Sequence, residues 1–488
     1  MSQKVHRGIH HGIPTYSLKG GGPCNGKLHF GVGMRDEPAV LAGITHLVEH
    51  VLLRMVQPQT VLYGGTTDTE SVEFWASGEP GDVAAFLNAI AAAVCRFQGL
   101  PAEDIELEKV VIHAEDPDKF RAVSSGLYGY RFGAADLGNA HFGAPGTQSL
   151  DRSEVLSWAQ QWFVAENAAL TFTGEIPESL NVTLPSGRAP ERTPAVPLLK
   201  EPTLVVSRKD GVALSLLVPD ADAGMLAEAL RYELLDRLRH DRGLIYSVVD
   251  FQAPVDADTV QLDLILDPTA SNILTAFDAA TAALHDIARN GFSGEALDYA
   301  RKARTSELEY GRSVPGWHLD RLAVRGLRGW STPGLKTVIR HTESTTADSM
   351  SASLAASMGS LVVAVAGYAK PRRKHAAAHG LALDRFRIWQ DTDTTGPDGH
   401  RVWRAKESEA VLWLTPERLT KQDGKGAKAV ALADIVLVGD RSCGCICLLD
   451  RYGRSTEFDS GEWSKGKSLR KALLGAFPGE TVRAFPED

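Results

Sequence analysis

Cysteine is scarce in this chain. Five residues among 488 (Cys24, Cys95, Cys443, Cys445 and Cys447) are too few, and odd in number, for a disulfide-stapled secreted scaffold. A basic excess is also missing: 52 Lys and Arg against 61 Asp and Glu leave a formal net charge of −9. That balance lacks the electrostatic footprint of a nucleic-acid binder. No run reads as the ~20 consecutive apolar residues of a membrane span. The opening MSQKVHRGIHHGIPTYSL has no apolar core of the signal-peptide kind. Together these absences set the expectation of a cytoplasmic protein with no membrane span and no nucleic-acid partner. What is present, 43% hydrophobic and 23% charged residues, is the composition of a folded chain.

At roughly 150 residues per domain the length predicts about three domains. Strand-like GIPTYSLKG and KLHFGVGM precede an apolar helix from about Ala42 to Met55. Strand SVEFWASG, helix GDVAAFLNAIAAAVCRF, helix PAEDIELEKVVIHAEDPDKF, helix DRSEVLSWAQQWF and strand AALTFTGEI complete a unit over 1–183. Proline-rich 184–202 reads as a linker. The scheme then restarts over 203–370, from TLVVSR and ALSLLVP to SLVVAVAGYA, as a duplication would. Aligning Ala42-Gly43 with Ala223-Gly224 sets His46, Glu49 and His50 opposite Ala227, Leu230 and Arg231. Residues 371–395, with PRRKHAAAHG, read as a second linker, and 396–488 as a β-rich module ending in the helix SLRKALLGAF. That module resembles a pleckstrin-homology-like domain in its strand-then-helix order.

The stretch ITHLVEHVLL, 44–53, carries chemistry. Two imidazoles and a carboxylate in an apolar helix cost several kcal/mol unless something holds them, at ~2 or more per unpaired group. Positions four apart share a helix face, so His46 and His50 can ligate one divalent ion with Glu49 beside the open position. A hydrolytic site needs three protein ligands and a water, so one ligand must come from elsewhere. The segment ELEKVVIHAED offers Glu108 and Glu115, two helical turns apart on one face. Taken alone, each of these residues has a bland reading as a satisfied core histidine or a solvated helix acid.

HLVEH, followed 65 residues after its second histidine by a carboxylate in EKVVIHAE, resembles the pitrilysin/insulinase/mitochondrial-processing-peptidase (M16) family. These are inverted zincins with the motif H-x-x-E-H. VGMRDEP before the motif and AGITHLVEH at its entry agree with the same resemblance. It implies one Zn2+ per chain on His46, His50 and Glu115, with Glu49 as base and Glu108 as a supporting acid. GGTTDTESVEFWA lies where the family has a substrate-pairing edge strand, so Gly64, Gly65 and Thr66 are expected at the substrate. There Gly64-Gly65 replaces the family's Asn-Ala, which changes one substrate contact. LRHDRGLIYSV resembles the family's Arg-x6-Tyr element, giving Arg239 and Tyr246 as residues that reach the scissile peptide.

The resemblance covers roughly 1–370. It implies an α+β fold of two homologous α/β units of the mitochondrial-processing-peptidase-like metallohydrolase type, followed by the small β-rich domain. The activity implied is that of a zinc metalloendopeptidase acting on peptides or unfolded segments. The chain is expected to work as a homodimer, or as a heterodimer with a related chain. The alternative is a non-catalytic scaffold or partner subunit of the same fold. A third reading makes the C-terminal module a phosphoinositide- or protein-binding domain, which acidic ESE and DRYGRSTEFDSGE support little. Cys443, Cys445 and Cys447 alternate, so a strand points all three to one face. A second metal site there is weighed against a buried strand face, and the latter is favoured because cysteine packs as a small hydrophobe.

Overall fold

A computed structural model describes residues 5–19, 23–57, 59–115, 123–141, 143–144, 146–207, 210–311, 314–393 and 401–485. The first unit runs β1 (His6–His10), β2 (Ile13–Leu18), β3 (Cys24–Phe30), α1 (Ile44–Arg54), β4 (Leu62–Thr67) and β5 (Val72–Gly78). It continues through α2 (Pro80–Arg96), α3 (Ala102–Ala114), α4 (Val123–Phe132), α5 (Arg152–Trp162) and β6 (Ala168–Thr173). Its strands form one sheet in the order β1-β2-β6-β3-β5-β4.

The second unit has β7 (Thr203–Ser207), β8 (Val212–Pro219), α6 (Ala223–Leu234), β9 (Ile245–Pro254), β10 (Thr259–Pro268) and α7 (Ile273–Asn290). Then come α8 (Gly294–Tyr310), α9 (Val314–Leu327), α10 (Leu335–Ser344), α11 (Ala347–Ser357) and β11 (Val362–Ala366). After α12 (Arg373–Ala377), strand β12 (Ala382–Asp384) joins this sheet, whose order is β12-β7-β11-β8-β10-β9. Five positions of the two sheets match, edge strand β9 standing where the first unit has β4. At the other edge β1 is antiparallel to β2, whereas β12 is parallel to β7.

The local reasons are ordinary. Helix α7 buries Ile273, Ala276, Phe277, Ala280, Leu284 and Ile287, a 3.6-period stripe, and stops at Gly291, whose φ is +93°. Helix α5 starts on Asp151, which accepts from Glu154 N–H while the Glu154 carboxylate accepts from Asp151 N–H.

The units are joined by an exchange of helices. Each sheet packs its own helices on one face, α1, α2 and α5 on the first and α6, α7 and α11 on the second. The opposite face of the second sheet is covered by α4 of the first unit, through Leu127 and Tyr130 against Val205, Ala213, Val362 and Ala364. Reciprocally, α9 of the second unit lies on β2, β3 and β6, with Leu319 and Leu322 against Leu18.

Polar pairs lock the exchange. Buried Arg131 of α4 donates from Nε to Gln261 Oε1 at 3.1 Å, from Nη1 to the Ser360 carbonyl at 2.8 Å and from Nη2 to Ser215 Oγ at 2.9 Å. Lys27 of β3 bridges Asp320 of α9 at 2.8 Å and Glu73 at 3.0 Å. Arg35, also buried, donates to the carbonyls of Pro254 and Val255, both at 2.9 Å.

The remainder is β-rich. One sheet, β13-β17-β16-β15-β14, comprises β13 (Gln390–Thr392), β14 (Val402–Arg404), β15 (Val411–Leu414), β16 (Arg418–Asp423) and β17 (Gly426–Ala431). The other, β20-β19-β18-β21, comprises β18 (Ile435–Arg441), β19 (Cys445–Asp450), β20 (Ser455–Asp459) and β21 (Val482–Phe485). Helix α13 (Gly466–Leu474) buries Leu469 and Leu473 in their shared core.

Three expectations change. The segment 371–395, read as a linker, contributes α12, β12 and β13. The module does not end in its helix, because β21 follows and pairs in parallel with β18. The 80–99 helix does have the length and hydropathy of a membrane span, yet half of it is buried within the fold, where α2 packs on β3 and β5.

Removing the Arg131 guanidinium leaves the Gln261, Ser215 and Ser360 acceptors dry and unpaired. Arg131→Met is therefore expected to lower stability by about 3–5 kcal/mol. Equilibrium urea unfolding reads this, and a loss below about 1 kcal/mol, that of one ordinary hydrogen bond, would show that α4 is not held by this network.

Candidate metal centre

Helix α1 begins at Gly43, whose φ of +91° favours glycine and where a Cβ would strike Ala144 and Thr147. No side chain at Gly43 caps the helix. Glu37 does it from outside: Oε2 accepts from Gly43 N–H at 2.8 Å and Oε1 from Thr45 N–H at 2.9 Å. The Thr45 hydroxyl in turn accepts from Trp158 Nε1 of α5 at 3.1 Å. The helix entrance is thus fixed in position and rotation before either histidine is reached.

His46 and His50 then project from one face, their Nε2 atoms 3.1 Å apart. Glu115 joins them, Oε1 lying 3.3 Å from His50 Nε2 and Oε2 3.6 Å from His46 Nε2. Glu115 keeps the face that its spacing from Glu108 predicts. Its N–H still bonds the Val111 carbonyl at 3.2 Å, and both carboxylates reach the His50 ring, Glu108 at Nδ1 and Glu115 at Nε2. Helix α3 ends at Ala114, and Glu115 is its extended C-cap residue (φ −68°, ψ 132°), reaching the histidines from just beyond the last turn.

Glu108 lies within the helix and is buried. Its Oε2 is 3.2 Å from His50 Nδ1, and its Oε1 accepts from Arg54 Nη1 at 3.2 Å. A carboxylate on Nδ1 fixes the ring and directs the Nε2 lone pair into the cluster.

The donor set fits a divalent cation. Two imidazole lone pairs and a carboxylate brought this close repel one another unless they share a positive charge. Four-coordinate N and O ligands about 2.0–2.2 Å from an ion stand roughly 3.3–3.6 Å from each other. The separations here, 3.1, 3.3 and 3.6 Å, are of that size. A second His/Asp/Glu cluster, His29 with Glu73 and Asp320, is different: the Lys27 ammonium already bridges both acids.

Glu49 stands at the mouth of the first cluster, Oε2 3.8 Å from His46 Nε2. Thr67 Oγ1 of β4 donates to that oxygen at 3.1 Å. Burial pushes the Glu49 pKa up to about 7, against the opposing pull of His50 and Thr67. Burial, with His50 adjacent, lowers that of His46.

Edge strand β4 passes directly over Glu49. The register pairs Gly65 with Phe74 and Thr67 with Val72, so Gly65 and Thr67 face α1 while Thr66 faces away with Glu73. A Cβ on Gly65 would run into the Glu49 carboxylate, and one on Gly64 would lie 2.9 Å from the Trp75 ring.

Arg239 and Tyr246 are brought to each other and not to this cluster. Arg239 is the last residue but one of a π-helical turn (Leu235–His240) and Tyr246 the second of β9; the guanidinium carbon is 5.0 Å from the ring centroid. Both are exposed, Tyr246 at 71%. Among the described residues no hydrogen bond or ion pair joins either to His46, His50 or Glu115. In the second unit Ala227 and Leu230 are buried core, and Arg231 pairs with Glu228.

Sequence reasoning missed Glu37, Arg54 and Thr67. Arg54 stands four residues after His50, a spacing that could have revealed it. Thr67 depends on strand register, and Glu37 on a loop.

Residues 149–304 match the family model described as the Peptidase M16 inactive domain, a segment covering most of the second unit. The fold is similar to a chain of complex III2 from Candida albicans, Inz-5 bound (TM-score 0.61, 14% identity, 74% of this chain and 96% of that one). It is similar to the periplasmic protease PqqL from Escherichia coli (TM-score 0.61, 14% identity), over 88% of this chain but only 56% of PqqL. A third likeness is to the peptidase M16 inactive domain from Pseudomonas fluorescens (TM-score 0.55, 12% identity, 74% of this chain and 97% of that one). No curated protein matches the sequence. These identities speak for the fold: two M16-like α/β units with a β-rich addition.

The Glu37 cap has a pH signature. Burial raises its carboxyl from 4.5 to about 7, so the folded chain holds that proton over a window where the unfolded chain has lost it. The contribution is complete below about pH 4.5 and fades as pH rises through 7. The stability of the parent relative to Glu37→Gln is expected to fall by up to about 3 kcal/mol between about pH 4.5 and pH 8. Parallel profiles in urea unfolding would mean that Glu37 does not titrate in this way.

Proposed function

We propose that the chain is a zinc metalloendopeptidase that cleaves peptides or unfolded polypeptide segments. The observation that carries this reading is the convergence of His46, His50 and Glu115 with Glu49 at their open side. The inactive-domain match covers 149–304, downstream of the whole cluster, and so does not address these four residues. In this reading the chain divides into units over 1–183 and 203–370 and a module over 396–488, joined by 184–202 and by 371–395, which lends β12 to the second unit and β13 to the module. It acts in the cytoplasm, where its five free thiols stay reduced.

Zinc held by His46, His50 and Glu115 would supply a Lewis acid for the scissile carbonyl and would acidify a water. The protein's own residues do the rest. Glu49, at the open side of the cluster, takes a proton at its Oε2 side and returns it to the leaving amine. Thr67 holds that carboxylate, and Glu108, backed by Arg54, holds the His50 ring. The outer edge of β4 offers backbone N–H and C=O groups to an extended peptide past Gly64, Gly65 and Thr66. Arg239 and Tyr246 present a guanidinium and a phenol for a peptide carbonyl, supplied to the site of a partner chain. PqqL, of which the matched part is only 56%, supports two such chains forming one working assembly, as a homodimer or with a related chain.

A second reading, a non-catalytic partner subunit, is favoured by the inactive-domain description and the likeness to a complex III2 chain. The purified chain is to be incubated with a mixed peptide library and the products read by mass spectrometry. Cleavage is expected, lost with a chelator and restored by Zn2+. Glu49→Gln should lower the rate by about 10²–10⁴-fold at unchanged zinc content. Metal binding without any cleavage would favour the second reading, and absence of metal binding would remove the first.

Sharing of the site makes a separate claim. Arg239→Ala and Glu49→Ala chains, each inactive alone, are expected to regain activity when mixed. Confirmed mixed dimers that stay inactive would place Arg239 outside the shared site.

A further inference from the structure

The sheet β20-β19-β18-β21 buries residues on both faces, and only one face belongs to the module's own core. Ile446 and Leu448 of β19 point into that core. The three clustered cysteines do not form a buried strand face: Cys445 and Cys447 are only half-buried, and Cys443 is exposed in the turn before them. The inward alternation favours the larger residues, because burying Ile and Leu gains more than burying two thiols. What the second face does bury is Leu437 and Leu449, cross-strand neighbours that close on Ala134, Ala39 and Val40 of the first unit. Backbone seals this contact. The Ala134 N–H donates to the Arg451 carbonyl at 3.1 Å, and a Cβ on Gly133, whose φ is +68°, would strike that same carbonyl. At the sheet edge β21 lies on the turn Thr147–Ser149. There Arg483 donates from Nη2 to Glu154 Oε1 at 2.6 Å and from Nη1 to Glu154 Oε2 at 3.2 Å, a fork on a carboxylate.

The turn beneath β21 clasps both helices of the metal centre. Thr147 fills the space beside Gly43, where α1 begins, and its hydroxyl donates to the Ala144 carbonyl at 2.8 Å with the Ala42 carbonyl at 3.4 Å. Gln148 holds α3. Its Nε2 donates to the Lys109 carbonyl at 2.8 Å, and its own carbonyl accepts from the buried Lys109 Nζ at 3.3 Å. Helix α1 carries His46 and His50, and α3 carries Glu108 and is capped by Glu115. The separation of the two helices therefore sets the separation of the ligands, and a metal site tolerates errors of only about 0.2 Å in its ligand distances. The module touches every segment that fixes this separation: the turn Ala39–Leu41, Ala134, the turn Thr147–Ser149, and α5, whose Trp158 bonds Thr45. From this chain of contacts we propose that the C-terminal module is a clamp that tunes the metal affinity of the α1–α3 cluster, with Arg483 and Gln148 as positioning residues. The clamp rests on the zinc reading for its ligand and on none of it for its contacts. Coupling of this kind is reciprocal, so a cation that draws the ligands together also tightens the seat of β21.

Two measurements on the full chain test this: Zn2+ retention against a chromophoric chelator, and amide hydrogen exchange of the metal-free protein. Arg483→Ala and Gln148→Ala are each expected to weaken retention by about tenfold or more, the lower end of what losing an outer partner costs a metal site. Both should also speed exchange in α1 and α3. Arg470→Ala breaks a comparable fork, Arg470 on Asp440 inside the module, and should change neither quantity. Retention and exchange that match the parent in Arg483→Ala and Gln148→Ala would overturn the clamp, as would an equal loss in Arg470→Ala. A parent that retains no Zn2+ overturns the zinc reading instead, and exchange in the metal-free chain then decides the clamp.

Discussion

A six-stranded sheet with apolar residues on both faces cannot close with helices on one side only. In this chain each sheet borrows its missing cover from the other unit. Leu127 and Tyr130 of α4 seal the second sheet, and Leu319 and Leu322 of α9 seal the first. The loan is secured by groups that would be costly to bury alone: the Arg131 guanidinium among Gln261, Ser215 and Ser360, and the Lys27 ammonium between Glu73 and Asp320. Neither unit is therefore complete without the other, which gives the second unit a physical reason to exist even though it holds no histidine cluster.

The two copies solve the same packing problem with different cations. In the first unit the contact between α1 and α3 carries His50, Glu108 and Arg54, with His46 and Glu115 alongside. In the second the contact between α6 and α8 carries Arg231, whose guanidinium reaches Tyr299 of α8 and Glu228 of its own helix. A covalently attached positive charge fills that copy permanently. The first copy presents imidazole and carboxylate lone pairs instead, the donor set that the proposed zinc would need.

How much of this the sequence disclosed depends on the range of each interaction. The pairing of His46 with His50 follows from the helical repeat alone, so it was legible, as was the duplication that sets Arg231 against His50. Glu108 and Glu115, seven residues apart, were legible as one helix face, and the family likeness gave them their roles. The structure keeps that face, Glu115 being the C-cap residue whose N–H still bonds the Val111 carbonyl. Thr67 meets Glu49 because β4 and β5 pair in one register; a slip of one residue would put Thr66 there instead. The alternation of the three cysteines was legible, but not the side they take, since that is decided by competition with Ile446 and Leu448. The exchange of α4 and α9 leaves no local signal. Their apolar residues look the same whichever sheet they cover.

The glycine pair in β4 acquires its meaning only from the geometry. Gly65 leaves the room in which the Glu49 carboxylate stands, and Gly64 lies flat against Trp75. A side chain at either place would move the base or the ring. An edge strand made bare on both faces at successive positions has little except its peptide groups to offer a ligand. Backbone groups are common to every peptide, so pairing with this strand cannot discriminate among sequences. On the proposed reading, selectivity for substrate comes from the surface that a partner chain brings, where Arg239 and Tyr246 are exposed and stacked on one another. In that same reading the cluster and the strand beside it supply chemistry and alignment, and the partner chain supplies choice.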